Sequence, residues 1–355
     1  MSRALNNLCE CFLPYRSGAR RRSREIDAML KRDRREPMVI LLTGSQYAGT
    51  TNVLRQMRLI NGPVFNHKEL LEFREAIYNN IIEGMLVLIQ ERNKLGIPLQ
   101  NSPNEKHEML FSSYHWLMKL EPCTFQPYVE AIDSLWKDSG IQEAHRRRSN
   151  FEFYESVKYY FDNIHRIGKL NYLPHNQDVI YTRNRTTFEE RYLVLRDSPF
   201  LLAEPFIWKA VLRRRLHLYK IQMPLLFIIG CSDYDRTGHE DNCLVASLND
   251  FELLCNHKSF LNSTIIIFFN KMDLLTEKVQ TADIRKHFPE FQGDPQKLED
   301  VQEFLIQSFQ KRKWNNSRQI FYHMTTAVDT ENIQTVFNTV KNTVMDRNLK
   351  EIPFL

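Results

Sequence analysis

No stretch of about 18 apolar residues occurs in the 355 positions, so no membrane-spanning helix is expected. No C-x-x-C pair occurs either. Apart from Cys9 and Cys11, the cysteines (Cys123, Cys231, Cys243 and Cys255) are scattered, which argues against a zinc site or a disulfide framework and for a reducing compartment. The opening "MSRALNNLCECFLPY" is too weakly apolar for a secretory signal. Residue 2 is Ser, so the Met-Gly start required for N-myristoylation is missing. One absence is more pointed. Residues 44–51, "GSQYAGTT", have the glycine spacing of a Walker A loop, but Thr50 stands where that motif has its phosphate-holding Lys.

What is present is ordinary in bulk and uneven in detail. Apolar residues make up 43% and charged residues 26%, as in a globular chain large enough for two domains. The net charge of +5 comes from residues 16–35, where nine Lys/Arg face three acids. Two readings of that run are open: a solvated basic helix face, or a surface for anionic lipid, on which each Lys/Arg gains about 1 kcal/mol. Cys9 and Cys11 lie just upstream, and cysteines beside a basic run are candidates for acylation. No nucleic-acid partner is expected.

The hydrophobic pattern divides the chain. "MVILLTG" reads as a buried parallel strand, and "TNVLRQMRLI" as a helix with Val53, Leu54, Met57 and Ile60 on one side. Residues 66–175 carry helical patterns and no convincing strand, which suggests an inserted all-helical domain. Strand–helix alternation resumes near residue 178 with "RYLVLRD", "PLLFIIGCSD" and "STIIIFFNKMDLL". The helical patterns "CLVASLNDFELLCNH", "LEDVQEFLIQSFQKR" and "TENIQTVFNTVKNTVMDRNLKEI" lie between and after them. The alternation implies an α/β fold with a mostly parallel sheet covered on both faces, and ligands in such sheets sit at the strands' carboxyl ends.

Three motifs fall at those ends. The first is the glycine loop, which taken alone is also the ordinary turn between a strand and a helix. The second is N-K-x-D at Asn270, Lys271 and Asp273. An Asp there can accept from both N1–H and the 2-amino group of guanine, which adenine cannot match, although the bare tetrapeptide is also a plain polar loop. The third is "TTA" at Thr325, Thr326 and Ala327, where a backbone N–H of a small residue can meet guanine O6. It is the weakest signal of the three. Their order and their common position at strand ends make them informative together.

With these motifs in place the chain resembles an α-subunit of a heterotrimeric G protein, a Ras-like P-loop GTPase domain with an inserted all-helical domain. The resemblance runs over nearly the whole length. It includes "RSREIDAML", "LRQMRLI", "SGIQEAHRRRSNFEFYESVKYYFDN", "NKMDLLTEKV" and "TTAVDTENIQTVFNTVKNTVMDRNLKEI". "LCECF", "IDSLWKDSGIQ" and "EFQGDPQKLEDVQEFL" are most similar to the twelve/thirteen class. The implied division is a basic N-terminal helix over 1–36, a Ras-like domain over 37–62 and 179–355, and a helical domain over 63–178.

The resemblance implies a site for GTP/GDP and Mg²⁺. Its nucleotide-binding positions fall on Gly44, Tyr47, Ala48, Gly49, Thr50, Thr51 and Asn52 of the loop, and on Asp138 and Ser139 of the helical domain. They continue through Ile180, Tyr181, Thr182, Arg183 and Thr186 of the first switch, then Asn270, Lys271, Asp273 and Ala327. Thr51 and Thr186 match the metal-binding hydroxyls, and Arg183 matches the built-in arginine finger, the implied catalytic residue. Several positions depart from the family. Its loop Lys is Thr50, a loop glycine is Gln46, an acidic residue is Tyr47, and the glycine after the first switch is Phe188. In the second switch, Asp-Val-Gly-Gly-Gln is replaced by Glu204, Pro205, Phe206, Ile207 and Trp208. The γ-phosphate-sensing glycine and the water-orienting Gln are therefore gone.

Further implied features are βγ binding through the N-terminal helix, where Ile26, Met29 and Leu30 share helical spacing, and receptor reading by the C-terminal helix, whose end carries Ile352 and Pro353. Exchange factors for Rho-type GTPases are the implied effectors, and the cytoplasmic face of the plasma membrane, with a cytoplasmic pool, is the implied location. Two function classes follow: a receptor-coupled GTPase switch with impaired hydrolysis, or a non-hydrolysing pseudo-GTPase that holds βγ or receptor.

Overall fold

The computed structural model describes residues 38–45, 47–112, 114, 119–148, 151, 153–183, 192–194, 200–203, 224–236, 242–315 and 319–350. Cys9, Cys11, Ile26, Met29, Leu30, Gln46, Thr186, Phe188, the segment 204–208, Ile352 and Pro353 lie outside the described residues.

Among the described residues, β1 (Met38–Gly44) leads into α1 (Thr50–Asn61). A helical series follows: α2 (His67–Lys94), α3 (Asn104–Ser112), α4 (Pro122–Trp136), α5 (Ser139–Arg146), α6 (Ser156–Asp162), α7 (Ile164–Ile167) and α8 (Asn176–Tyr181). The alternating part then runs β2 (Tyr192–Val194), β3 (Phe200–Ala203), β4 (Leu225–Gly230), α9 (Cys243–Cys255), β5 (Ile265–Asn270) and α10 (Met272–Lys278). It ends with α11 (Leu298–Gln310), β6 (Ile320–Met324) and α12 (Thr330–Lys350).

The six strands form one sheet in the order β2-β3-β1-β4-β5-β6. Only β2, at the edge, pairs antiparallel, with Leu193 opposite Leu202; the other pairings are parallel. Burial on both faces accounts for the unbroken apolar runs of β4 and β5. Successive side chains point to opposite faces. Phe227, Ile229, Ile265, Ile267 and Phe269 therefore pack against Leu248 and Phe251 of α9 and Leu305 and Phe309 of α11. Leu226, Ile228, Ile266 and Phe268 pack on the other face against Val53 and Met57 of α1 and Phe337 and Val340 of α12.

The helical series has a core of its own, built on Ile77, Ile81, Met85 and Leu88 of α2 with Phe125 and Ile132 of α4 and Val157 and Phe161 of α6. A capping box starts α2: the Glu69 N–H donates to Asn66 Oδ1 at 3.0 Å, and the Asn66 N–H donates to Glu69 Oε2 at 2.8 Å. Asn163 separates α6 from α7. The boundary expected between 178 and 179 falls inside α8. Val179 of that helix packs with Phe65, Phe73 and Leu59, so α8 belongs to both halves.

Candidate functional site

A cleft of about 750 Å³ lies between the carboxyl ends of the strands and the helical series. Its floor is the loop from β1 to α1. Gly44 sits so close to β4 that a Cβ would stand 2.5 Å from the Ile228 carbonyl. Gly49 caps α1 at φ 92°, the left-handed region, and a Cβ there would stand 2.6 Å from Asn270 Nδ2. Tyr47 also has positive φ, 66°, an uncommon choice for a residue with a side chain. Gly44, Tyr47, Ala48, Gly49, Thr50, Thr51 and Asn52 all line the cleft. Thr51 lies in the first turn of α1, where free backbone N–H groups and the helix dipole favour an anion.

Asn270, at the end of β5 and 1% exposed, ties three segments together. Its Nδ2 donates to the Ala48 carbonyl at 2.7 Å, and its Oδ1 accepts from the Ala327 N–H at 2.8 Å and from the Thr325 hydroxyl at 3.3 Å. The Ala327 N–H, expected to face guanine O6, is thus held by Asn270. Lys271 has φ 64°, and its Nζ donates to both oxygens of Asp233, at 3.1 and 3.0 Å. Asp273 opens onto the cleft from the first turn of α10. Burial by its surroundings raises its carboxyl above the usual range, while nearby backbone N–H groups and Lys271 pull it back.

The opposite wall comes from the helical series and α8. Tyr181, Thr182 and Arg183 line the cleft; Ile180 does not, being fully buried inside α8. Asp138 and Ser139 are not among the residues that line this cleft. Asp138 is fully buried and caps α5, its carboxylate accepting from the N–H groups of Gln100, Asn101 and Gly140 at 3.0, 3.1 and 2.9 Å and from Asn104 Nδ2 at 2.8 Å. Burial raises its pKa, and these four donors more than offset that, so it lies below the ordinary carboxylate value. Its side chain is used up in holding the turn before α5.

Several residues that shape the site carry no motif. Arg55, buried on α1, donates to the carbonyls of Val179 and Thr182 and so fixes the end of α8. Gln56 Nε2 donates to the Ala327 carbonyl at 3.0 Å, and its Oε1 accepts from the Thr330 hydroxyl at 3.0 Å. Asp178, fully buried, takes both Arg166 Nη groups at 2.8 and 2.6 Å and the hydroxyls of Tyr159 and Tyr172 at 2.8 and 2.9 Å. The only sequence signal for Arg55 and Gln56 is a pair of polar residues next to the apolar stripe of α1. Tyr154, Tyr159 and Arg236 also line the cleft and gave no signal.

A mostly parallel sheet with a glycine loop after its first strand, an Asn-Lys-x-Asp turn after β5, a small-residue loop after β6 and a helical insertion over one wall defines a Ras-like P-loop GTPase domain with an inserted helical domain. The sequence model for "G-protein alpha subunit" matches residues 20–344, and the chain belongs to that family. It is 44% identical over 378 aligned positions to human "Guanine nucleotide-binding protein subunit alpha-12", covering 99% of both chains. It is 38% identical to human "Guanine nucleotide-binding protein subunit alpha-13", covering 94% of this chain and 92% of that one. It is 33% identical to the Caenorhabditis elegans "Guanine nucleotide-binding protein alpha-12 subunit", covering 93% and 96%. These likenesses place it with the twelve/thirteen class.

Proposed function

We propose that the chain is a guanine-nucleotide-binding α-subunit that couples G-protein-coupled receptors to intracellular effectors, with weakened hydrolysis. The observation that carries this reading is the Asn270 junction. One side chain joins the phosphate loop to the loop after β6, beside an Asp273 carboxylate facing the cleft. That is an arrangement suited to the N1–H and 2-amino edge of guanine. The Thr51 hydroxyl at the start of α1 fits one ligand of a phosphate-bound Mg²⁺, with Thr186 as its partner hydroxyl. The ion, when bound, would neutralise phosphate charge.

Hydrolysis is weakened because Thr50 supplies no ammonium to the phosphates and the Trp208 side chain has no carbonyl with which to orient a water. The Arg183 guanidinium supports the same view, since it lies 3.4 Å from the centre of the Tyr154 ring. Those facts also favour a second reading, a pseudo-GTPase that binds nucleotide statically and holds βγ or receptor. By family likeness the βγ dimer meets the N-terminal helix, the receptor meets the C-terminal helix, and Rho-type exchange factors are effectors. Acylation at Cys9 and Cys11 with the basic run would hold the chain at the cytoplasmic face of the plasma membrane.

The purified chain is denatured and released nucleotide is identified by chromatography. GDP or GTP in near-equal ratio to protein is the expected result; none would defeat the nucleotide reading. Single-turnover hydrolysis then separates the two classes. A rate above that of free Mg²⁺–GTP means a slow GTPase, and no excess rate means the static binder.

A further inference from the structure

One edge of the cleft carries a layer of side chains that joins two motif residues, Tyr47 and Arg183, to two that no motif includes, Tyr154 and Arg236. The Arg183 guanidinium carbon lies 3.4 Å from the Tyr154 ring centroid. The Tyr154 and Tyr47 rings are 6.3 Å apart and tilted by 50°. The Arg236 guanidinium lies 4.6 Å from the Tyr47 centroid. The order is Arg183, Tyr154, Tyr47, Arg236, and the four come from four separate segments. Tyr47 belongs to the phosphate loop, and Arg236 follows β4. Tyr154 precedes α6, and Arg183 follows α8. The layer therefore crosses the cleft between the sheet side and the helical side.

Cationic groups on aromatic faces and tilted aromatic pairs are attractive, the more so where water is displaced. Polar bonds fix the ends of the layer. Arg236 Nη2 donates to the Phe153 carbonyl at 3.1 Å, a direct tie from the sheet side to the helical side. Asn80 of α2 holds the main chain of Arg183 from both directions, accepting from its N–H at 2.8 Å and donating to its carbonyl at 3.0 Å. Tyr47 holds a left-handed backbone, φ 66°, which residues with a Cβ rarely adopt. A loop residue with a left-handed backbone, packed against a tilted ring from the helical side, is a place where loop conformation and closure of the cleft are coupled.

We propose that Tyr47 and Tyr154 form an aromatic latch, capped by Arg236 and Arg183, that holds the phosphate loop against the helical insertion and sets the rate at which a guanine nucleotide leaves. This rests on the nucleotide reading given above. Where the family has an acidic residue at position 47, this chain closes the same edge with ring faces. The ligand is a guanine nucleoside diphosphate, and the latch acts on its escape. The base-reading contacts of Asn270 and Asp273 are untouched.

The test is the dissociation of fluorescent mant-GDP from the full chain, chased with excess unlabelled GDP. Tyr154→Ala and Tyr47→Ala each speed release by about tenfold. The double variant is no faster than about twice the faster single one, since both break the same pair. Tyr154→Phe keeps the ring face and releases at the wild-type rate. Equal release from wild type and Tyr154→Ala overturns the latch, as does a Tyr154→Phe variant as fast as Tyr154→Ala. If the wild-type chain takes up no mant-GDP, the nucleotide reading has failed, and the latch is judged separately by hydrogen–deuterium exchange of the free chain. Faster exchange in Tyr154→Ala than in Tyr154→Phe at residues 47–52 and 153–162, with strand 265–270 unchanged, supports it. Identical exchange in those segments, or faster exchange throughout, overturns it.

Discussion

Asn270 donates from Nδ2 to the carbonyl of Ala48 at 2.7 Å, joining the end of a central strand to the phosphate loop 222 positions earlier. The bond is buried, and the same side chain holds the Ala327 N–H. Removing it leaves a carbonyl and an N–H without partners where water does not reach. Asn270→Ala is expected to cost about 2–4 kcal/mol of stability, because each orphaned buried group carries its full desolvation penalty. Asn270→Asp is expected to be nearly as costly, since an ionised carboxylate cannot donate to Ala48. Chemical denaturation of the three chains checks the stabilities. A loss below about 0.5 kcal/mol in both variants would show that the junction is not a support of the fold.

Gly49 is the steric counterpart of that junction. Its φ of 92° is costly for any residue with a Cβ, and the space a Cβ would take belongs to Asn270 Nδ2, 2.6 Å away. Gly49→Ala therefore meets two penalties at once, strain in the backbone and displacement of Asn270. The expected loss is about 2 kcal/mol or more, above the ordinary cost of placing a side chain in the left-handed region. Nucleotide uptake falls with it, because the loop and the base-reading turn lose their common anchor. Denaturation together with mant-GDP binding measures both. Wild-type stability with wild-type uptake would refute the argument.

His145 gives the helical series a dependence on pH. It lies edge-on to Trp136 and Phe153, with ring centroids 5.0 and 5.4 Å away, and its Nε2 has no hydrogen-bond partner. Burial is the main cause that holds its pKa down to about 4, from 6.5; Arg148 and Lys158 add to it, and Asp162 opposes. The folded state thus binds its proton less readily than the unfolded chain. Its contribution to stability is complete above pH 6.5 and is lost as the pH falls toward 4. The slope from this one group is at most about 1.4 kcal/mol per pH unit. Thermal unfolding of wild type and His145→Phe at several pH values between 7 and 4 is the check. The variant is expected to show a shallower decline across that window, and parallel curves would remove His145 as the cause.

How far the sequence foretold these relationships depends on their range. β4 and β5 are runs buried on both faces, so composition alone marks them. The long helices carry their period in the sequence. β3 has four residues, too few to show a period, and its place comes from pairing with β1, so its apolar pattern alone does not announce it. The motif residues at the strand ends were legible because chemistry fixes both their type and their spacing. The wall opposite them was not. Tyr154 and Arg236 meet Tyr47 only because the chain folds back, and no local pattern encodes a contact between segments that far apart. Asp138 shows something a motif match does not carry: its carboxylate is a buried cap on α5. Gln56 and Arg55 were hidden by their neighbours, two polar residues in a helix whose apolar side was already accounted for.

Thr50 is the position where sequence and geometry can be weighed against each other. It opens α1, lines the cleft, and its hydroxyl oxygen would stand 2.9 Å from a Cβ placed on Gly44, so the residue is packed onto the floor of the loop. Thr50→Lys would restore a charge-assisted contact to phosphate, worth about 1.5–3 kcal/mol, or roughly tenfold to a hundredfold in affinity. The expected outcome is a mant-GDP affinity raised at least tenfold, with the increase shrinking as salt screens the new charge. Thr50 lines the cleft, so the lysine stem points toward the space a phosphate would occupy. If affinity does not rise, the missing charge is not what limits binding. The limit then lies in the loop backbone, whose left-handed Tyr47 and latched rings fix the N–H groups in a geometry a lysine cannot correct.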